Sequence, residues 1–179
     1  MGATVNTEWD EFYPSIAKNG NIYFTAAYSG GIGKEDIYVS KFTGTSYQKP
    51  TVLDTAVNSH LYEFNAFVST LEDYIIFTSY GRKDDAGGGD LYISIKSKMG
   101  MWQKAVNLKS INSAQLDYCP FVSPDGKHFF FTSERHALPV SFLDSKATYK
   151  DINDFSLHLL NSTGNIYWID FQKAVDSVR

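Results

Sequence analysis

The run Asp117-Tyr118-Cys119-Pro120-Phe121-Val122-Ser123-Pro124-Asp125-Gly126-Lys127-His128-Phe129-Phe130-Phe131-Thr132 reads as two short apolar segments around a turn. Ser123-Pro124-Asp125-Gly126 makes the turn, because proline presets φ while Asp and Gly tolerate positive φ. Phe, Tyr and Val fit the pleated surface of a strand. The same pattern occurs twice upstream. One copy is Glu63-Phe64-Asn65-Ala66-Phe67-Val68-Ser69 followed by Tyr74-Ile75-Ile76-Phe77-Thr78. The other is Glu11-Phe12-Tyr13-Pro14-Ser15-Ile16-Ala17 followed by Asn21-Ile22-Tyr23-Phe24-Thr25. Asn6-Thr7, Asn58-Ser59 and Asn112-Ser113 open the copies, 52 and then 54 residues apart.

Each copy continues through a loop to a third run: Asp36-Ile37-Tyr38-Val39-Ser40, Asp90-Leu91-Tyr92-Ile93-Ser94 and Asn165-Ile166-Tyr167-Trp168-Ile169. The first two close with Tyr47-Gln48-Lys49-Pro50 and Trp102-Gln103-Lys104-Ala105. Four short runs per unit of roughly 50 residues predict an all-β chain, a β-propeller of four-stranded antiparallel blades. Residues 1–179 then form a single, partial propeller domain of about three blades. Blade 1 covers about 6–56, blade 2 about 57–110 and blade 3 about 111–170, with 171–179 as a C-terminal tail. The last blade carries an insertion of roughly 21 residues relative to its siblings, as repeat insertions map to loops. Within it, Ile152, Phe155 and Leu159 share one helical face and predict a short helix over 149–160. Phe171, Ala174, Val175 and Val178 predict another amphipathic turn or two in place of a fourth strand.

These residues resemble the WD40-like (PD40) repeats of TolB-like propellers. The Tyr118–Lys127 tract, the strand Phe129–Ser133 and the recurring Asp-hydrophobic-Tyr strand carry the likeness over nearly the whole chain. Ser-Pro-Asp-Gly is intact only in the third copy. The resemblance implies about six blades, an interaction module rather than a catalyst, and a periplasmic or secreted place at the bacterial envelope. Nothing in Met1–Val5 reads as a signal peptide, so the residues themselves do not assign a compartment.

Composition bounds the function. Sixteen Lys and Arg against twenty Asp and Glu give a net charge of −4. That excess of acid argues against a nucleic-acid partner, which needs clustered cations. The hydrophobic share of 43% supports a buried core. Cys119 is the sole cysteine, so neither an internal disulfide nor a multi-cysteine zinc site can form. Within an inner strand it reads as a small buried hydrophobe. No run of 18 apolar residues could span a membrane as a helix.

In a four-stranded meander, the loops between second and third strands share one end with the inter-blade segments. These connections are long (Ala26–Glu35, Ser79–Gly89, Ser133–Gly164), whereas the opposite turns are tight. Long loops on a rigid scaffold are where binding sits. Tyr28, Tyr62, Tyr80, Arg82, Glu134, Arg135 and His136 are therefore the candidate ligand residues, suited to a glycan or a protein. Glu11, Glu63 and Asp117 open the innermost strands, and Asp36 and Asp90 the third ones. They could ring a channel mouth, but recurrence at one repeat position favours a structural task.

Gly30-Gly31-Ile32-Gly33-Lys34 fails as a phosphate loop, since Glu35 stands where Ser or Thr is needed and a strand follows. The four histidines are scattered, and no Gly-x-Ser-x-Gly or His-Glu-x-x-His occurs. We expect no metal and no cofactor. The reading is a non-catalytic binding or scaffold propeller. The alternative is a glycan-active hydrolase or lyase, or the propeller part of a larger enzyme. Three blades leave two open flanks, so the sequence also predicts a homodimer that completes the ring, or a missing half in a longer propeller.

Overall fold

The computed structural model describes residues 2–176. Three antiparallel sheets follow one another along the chain. Sheet I comprises β1 (Glu11–Ile16), β2 (Ile22–Ala26), β3 (Asp36–Ser40) and β4 (Thr51–Val52), paired in that order. Sheet II repeats the meander with β5 (Tyr62–Val68), β6 (Tyr74–Tyr80), β7 (Asp90–Ile95) and β8 (Val106–Asn107). Sheet III has three strands, β9 (Asp117–Val122), β10 (His128–Ser133) and β11 (Asn165–Asp170). The chain is thus mostly β, in two four-stranded sheets and one three-stranded sheet, and no sheet closes on itself.

The register repeats with the sequence. Phe24 lies opposite Tyr38, Phe77 opposite Tyr92, and Phe131 opposite Tyr167. Each pair stacks, with ring centroids 6.1, 6.2 and 5.8 Å apart. The fourth strands are shorter than the apolar runs suggest, only two residues each. Much of the outer connection is held instead by the isolated bridges Phe42 to Tyr47 and Lys96 to Trp102. The first strand of every sheet carries an irregularity at the same place. Tyr13, Asn65 and Cys119 have φ of 52°, 53° and 52°, and the pairing shifts beside each. A left-handed non-glycine residue costs roughly 1–3 kcal/mol and persists where its surroundings hold it. Here the three meet: Asn65 Nδ2 donates to Cys119 Sγ at 3.3 Å, and Tyr13 Oη reaches the Pro120 carbonyl at 3.3 Å. Cys119 is therefore half-buried at this junction rather than fully buried as expected.

The core lies between sheets. Tyr23, Ile37, Val39 and Leu53 of sheet I and its outer segment meet Val68, Ile75, Phe77 and Tyr92 of sheet II. Ile76, Leu91 and Ile93 of sheet II meet Val122, Phe129 and Phe131 of sheet III. Successive residues of β2, β3, β6 and β7 point to opposite faces, so burial on both faces gives their unbroken apolar runs. Sheet III replaces its fourth strand with a helix, α3 (Phe171–Asp176). Ala174 is fully buried there, and Phe171 packs on Tyr74 and Phe129 at centroid distances of 5.1 and 6.3 Å. Val178, placed by the pattern on the same face, lies outside the described residues.

The insertion departs from expectation in two ways. It forms two helices, α1 (Val140–Leu143) and α2 (Tyr149–Ser156), and the second stops before 160. Thr148 and Asp151 form a capping box at the start of α2, while Leu157 ends it. No residue of α2 is buried, and Leu159 lies beyond the helix, exposed to solvent. Of its apolar face, Phe155 packs on Phe142 of α1 at 5.3 Å between ring centroids, while Ile152 stays exposed.

Glu72, in the tight turn between β5 and β6, joins sheets I and II at the turn end. Its carboxylate accepts from Asn19 Nδ2, Asn21 Nδ2 and Tyr23 Oη at 3.1, 2.9 and 2.9 Å, and Lys96 lies 3.6 Å away. Burial alone would raise this carboxyl, but the donors and the Lys96 charge outweigh it and hold it below its ordinary value. A lowered folded-state pKa stabilises above the unfolded carboxylate range, and the gain disappears as pH falls through the folded value. Glu72→Gln should cost about 1–2 kcal/mol near neutral pH, measured by urea unfolding. The gap to the native chain should close as the medium is acidified. A gap that widens with acid would contradict the assignment.

Candidate functional site

The loop end of the molecule is organised by a repeated hydrogen-bonded cluster. In sheet II, Ser59 donates to Glu63 through its N–H at 2.7 Å and its hydroxyl at 2.8 Å. Ser79 Oγ donates to the same carboxylate at 2.6 Å. Arg82 completes the cluster: Nη2 donates to Glu63 at 2.9 Å and to the Val57 carbonyl at 2.5 Å, and Nε to Ser79 at 2.8 Å. Sheet III repeats it with Ser113, Asp117, Ser133 and Arg135, whose Nη2 reaches Asp117 at 3.0 Å and the Ile111 carbonyl at 2.9 Å. Each guanidinium also covers the stacked pair beneath it, 4.7 Å from the Tyr92 ring and 4.6 Å from the Tyr167 ring. Glu63 and Asp117 are fully buried, so a paired cation is what permits their charge there.

Sheet I varies the theme. Thr7 N–H and hydroxyl donate to Glu11 at 3.1 and 2.5 Å, and Tyr28 takes the place of the arginine. Its hydroxyl donates to Glu11 at 2.9 Å and lies 3.3 Å from the Val5 carbonyl. Burial and the Glu11 carboxylate push the Tyr28 phenol up. A phenol replaces the cation where the acid is only partly buried. Glu11, Glu63 and Asp117 are thus occupied by their own sheets.

Asp36 and Asp90 hold the long loops. Asp36 accepts from the N–H groups of Ile32 and Gly33, and Asp90 from Ala86 N–H and Asn107 Nδ2. Burial pushes both carboxyls up despite these donors. The glycines of these loops serve close approach. Gly88 has φ of 69°, and a Cβ there would meet the Leu116 nitrogen at 2.5 Å. In the first loop Gly33 lies equally close to the following inter-sheet segment, where a Cβ would meet the Ser59 carbonyl oxygen at 2.5 Å, so the glycines of the phosphate-loop-like string serve packing.

Of the expected ligand residues, then, Tyr28, Arg82 and Arg135 are each tied to a separate acid in a separate sheet. Tyr62 and Tyr80 do come together, with ring centroids 6.0 Å apart, and Lys34 lies 5.0 Å from the Tyr62 centroid. Lys34 escaped the sequence reading because only the register of β5 against the preceding loop places it there. Glu134 and His136 follow β10, where His136 bridges to Asn161 of the insertion. Among the described residues, no group of three or more His, Cys, Asp or Glu is arranged to hold a metal ion.

The turn end carries a cleft that the sequence did not single out. It encloses about 500 Å³ where β1, β5 and β9 end together, and it draws on all three sheets. Tyr13 and Ile16, Phe67 and Leu71, and Pro120 and Phe121 supply its apolar lining, while Ser15, Ser69, Thr70 and Ser123 add hydroxyls. Leu71 is 75% exposed and Ile16 58%. An apolar residue at a strand end reads in sequence as core, so only the assembled geometry exposes this group.

Compared with protein-family models and with curated proteins, the chain matches none. The geometry alone makes a firm statement about the arginines. Arg82→Ala or Arg135→Ala should each lower unfolding free energy by about 3 kcal/mol, because a buried carboxylate loses its cation. Urea denaturation followed by circular dichroism measures it. A loss below about 0.5 kcal/mol, the range of ordinary surface changes, would return both residues to the ligand candidates.

Proposed function

We propose that the chain is a non-catalytic binding and scaffold module of propeller architecture, with its three sheets as blades. The turn-end cleft is then the mouth of the central channel, and it holds an apolar-edged segment of a partner protein. The observation that carries this reading is the convergence of exposed Ile16, Leu71 and Phe121 from three sheets on one cleft. Exposed apolar groups gathered in a concavity mark an interaction site. The repeated acids support it from the other side, since their hydrogen-bonding capacity goes to the scaffold. The resemblance to TolB-like repeats favours an interaction role at the bacterial envelope, in the periplasm or outside the cell.

A second reading rests on Tyr62, Tyr80 and Lys34 at the loop end. An aromatic pair beside a cation suits a glycan, stacking on its face and binding an acidic substituent. Peptide selection on the folded chain, and a glycan array in parallel, separate the two. Selected peptides should bind Leu71→Asp and Phe121→Asp at least about tenfold more weakly, the cost of losing an apolar anchor, and should bind Tyr80→Ala unchanged. The opposite pattern, with array ligands lost on Tyr80→Ala and Lys34→Ala, would move the site to the loop end. Turnover of an arrayed glycan would replace binding by catalysis.

A further inference from the structure

The two internal interfaces show what the end flanks of the molecule are built to meet. On the side facing the next sheet, sheet I presents Tyr23, Ile37 and Val39, and sheet II presents Ile76, Leu91 and Ile93. The shared register places Phe130, Ile166 and Trp168 at the same positions of sheet III. Their counterparts are all buried, yet Ile166 is 79% and Trp168 64% exposed.

A specific hydrogen-bond device accompanies each internal interface. Asn58 Oδ1 accepts from Ile37 N–H at 2.8 Å, and Nδ2 donates to the Ile37 and Leu53 carbonyls at 3.0 and 2.9 Å. Asn112 treats Leu91 identically, at 2.9 Å from its N–H and 3.0 Å from its carbonyl. Ser59 and Ser113, the next residues, secure the following sheet. Asn6 stands at the third such position, followed by Thr7, which already holds Glu11. The Asn6 side chain is exposed and has no partner among the described residues. The third site to be clamped is Ile166. It lies opposite Thr132, as Ile37 lies opposite Thr25 and Leu91 opposite Thr78. Its N–H and carbonyl therefore point to the outer edge of β11, where sheet III has no further strand among the described residues.

The flank of sheet I is the complement of this surface. Val5, Ile22, Phe24 and Tyr38 form its apolar floor, corresponding in register to residues of sheet II that face sheet I. Beside them opens a cavity of about 930 Å³ lined in part by Trp9, Tyr38 and Val52. The Tyr38 hydroxyl is buried without a partner among the described residues, whereas its counterpart Tyr92 bonds Asp84 and Asn107.

We propose that the flank of sheet III docks on the flank of sheet I of a second copy of this chain. Asn6 of each copy clamps Ile166 of the other. Two copies of three sheets then make a closed ring of six, with the same contact used twice about a two-fold axis. The proposal shares the ring geometry of the proposed function but not its ligand, so failure of cleft binding leaves it standing. The occupant is a second copy because the chain already makes this contact with itself twice. An equal flank is the surface whose shape and hydrogen bonds both fit.

Light scattering after gel filtration of the full chain at micromolar concentration should give twice the 20.1 kDa monomer mass. Trp168→Glu should give a monomer with unchanged circular dichroism. Asn6→Ala should weaken association at least about tenfold, for two lost hydrogen bonds at each contact. Should Trp168→Glu fail to fold, a second route remains. In a Cys119→Ser background, the pair Asn6→Cys and Ile166→Cys should form a disulfide-linked dimer on mild oxidation, and either cysteine alone should not. A monomer, an open-ended oligomer, or a dimer indifferent to Trp168→Glu and Asn6→Ala would each overturn the proposal.

Discussion

An asparagine side chain lying along a strand of the preceding sheet is the contact on which the arrangement depends. Asn58 and Asn112 satisfy both backbone groups of one residue in that strand, and the serine after each binds the acid of the following sheet. Two adjacent residues thus set the spacing and the rotation between neighbours. The outer segments supply only part of this: β4 and β8 are two residues long, and the residue after each, Leu53 or Leu108, reaches the carbonyl of Ile37 or Leu91 but not its N–H. Buried backbone groups must find partners, and where the short strand ends, the asparagine amide takes over. The apolar interfaces supply most of the driving force, but apolar contact is indifferent to small slides. The amide decides the register.

The polar clusters at the loop end follow from that placement. Once the serine is fixed, the acid beside it is enclosed, and an arginine or a phenol must answer it. The cation then lies over the stacked Phe–Tyr pair of the same sheet, giving weakly hydrated guanidinium a second partner. A charge pattern suited to ligand capture is spent inside the scaffold. What stays open to a ligand is the residue set without such duties, the cleft at the turn end and the Tyr62–Tyr80 pair.

The strands were legible because period, turn chemistry and repeat agree on each one. Asn6, Asn58 and Asn112 marked the units before any coordinate was known, and the three-stranded third sheet followed from the absent fourth run. The acids read as structural because recurrence implies a shared packing task, and each accepts hydrogen bonds from its own sheet or loop. The arginines were not recognised, because Arg82 and Arg135 sit at slightly different offsets and sheet I uses Tyr28. Helix α2 ended early because the pattern Ile152, Phe155 and Leu159 describes a face, not what covers it. The left-handed φ of Tyr13, Asn65 and Cys119 had no signal at all: three unrelated residue types hold it where the first strands of the three sheets meet.

Sheet II is clasped from both sides, through Asn58 toward sheet I and through Asn112 toward sheet III, and it shares in both interior apolar clusters. Its neighbours each have one such boundary within the chain. In a linear array with nearest-neighbour coupling, the central member inherits the cooperativity of both junctions. That coupling favours opening at the edges before the centre, where β6 and β7 contribute to both clusters. Stability in such an array is graded by position, greatest where a sheet has a neighbour on each side and least at the two flanks.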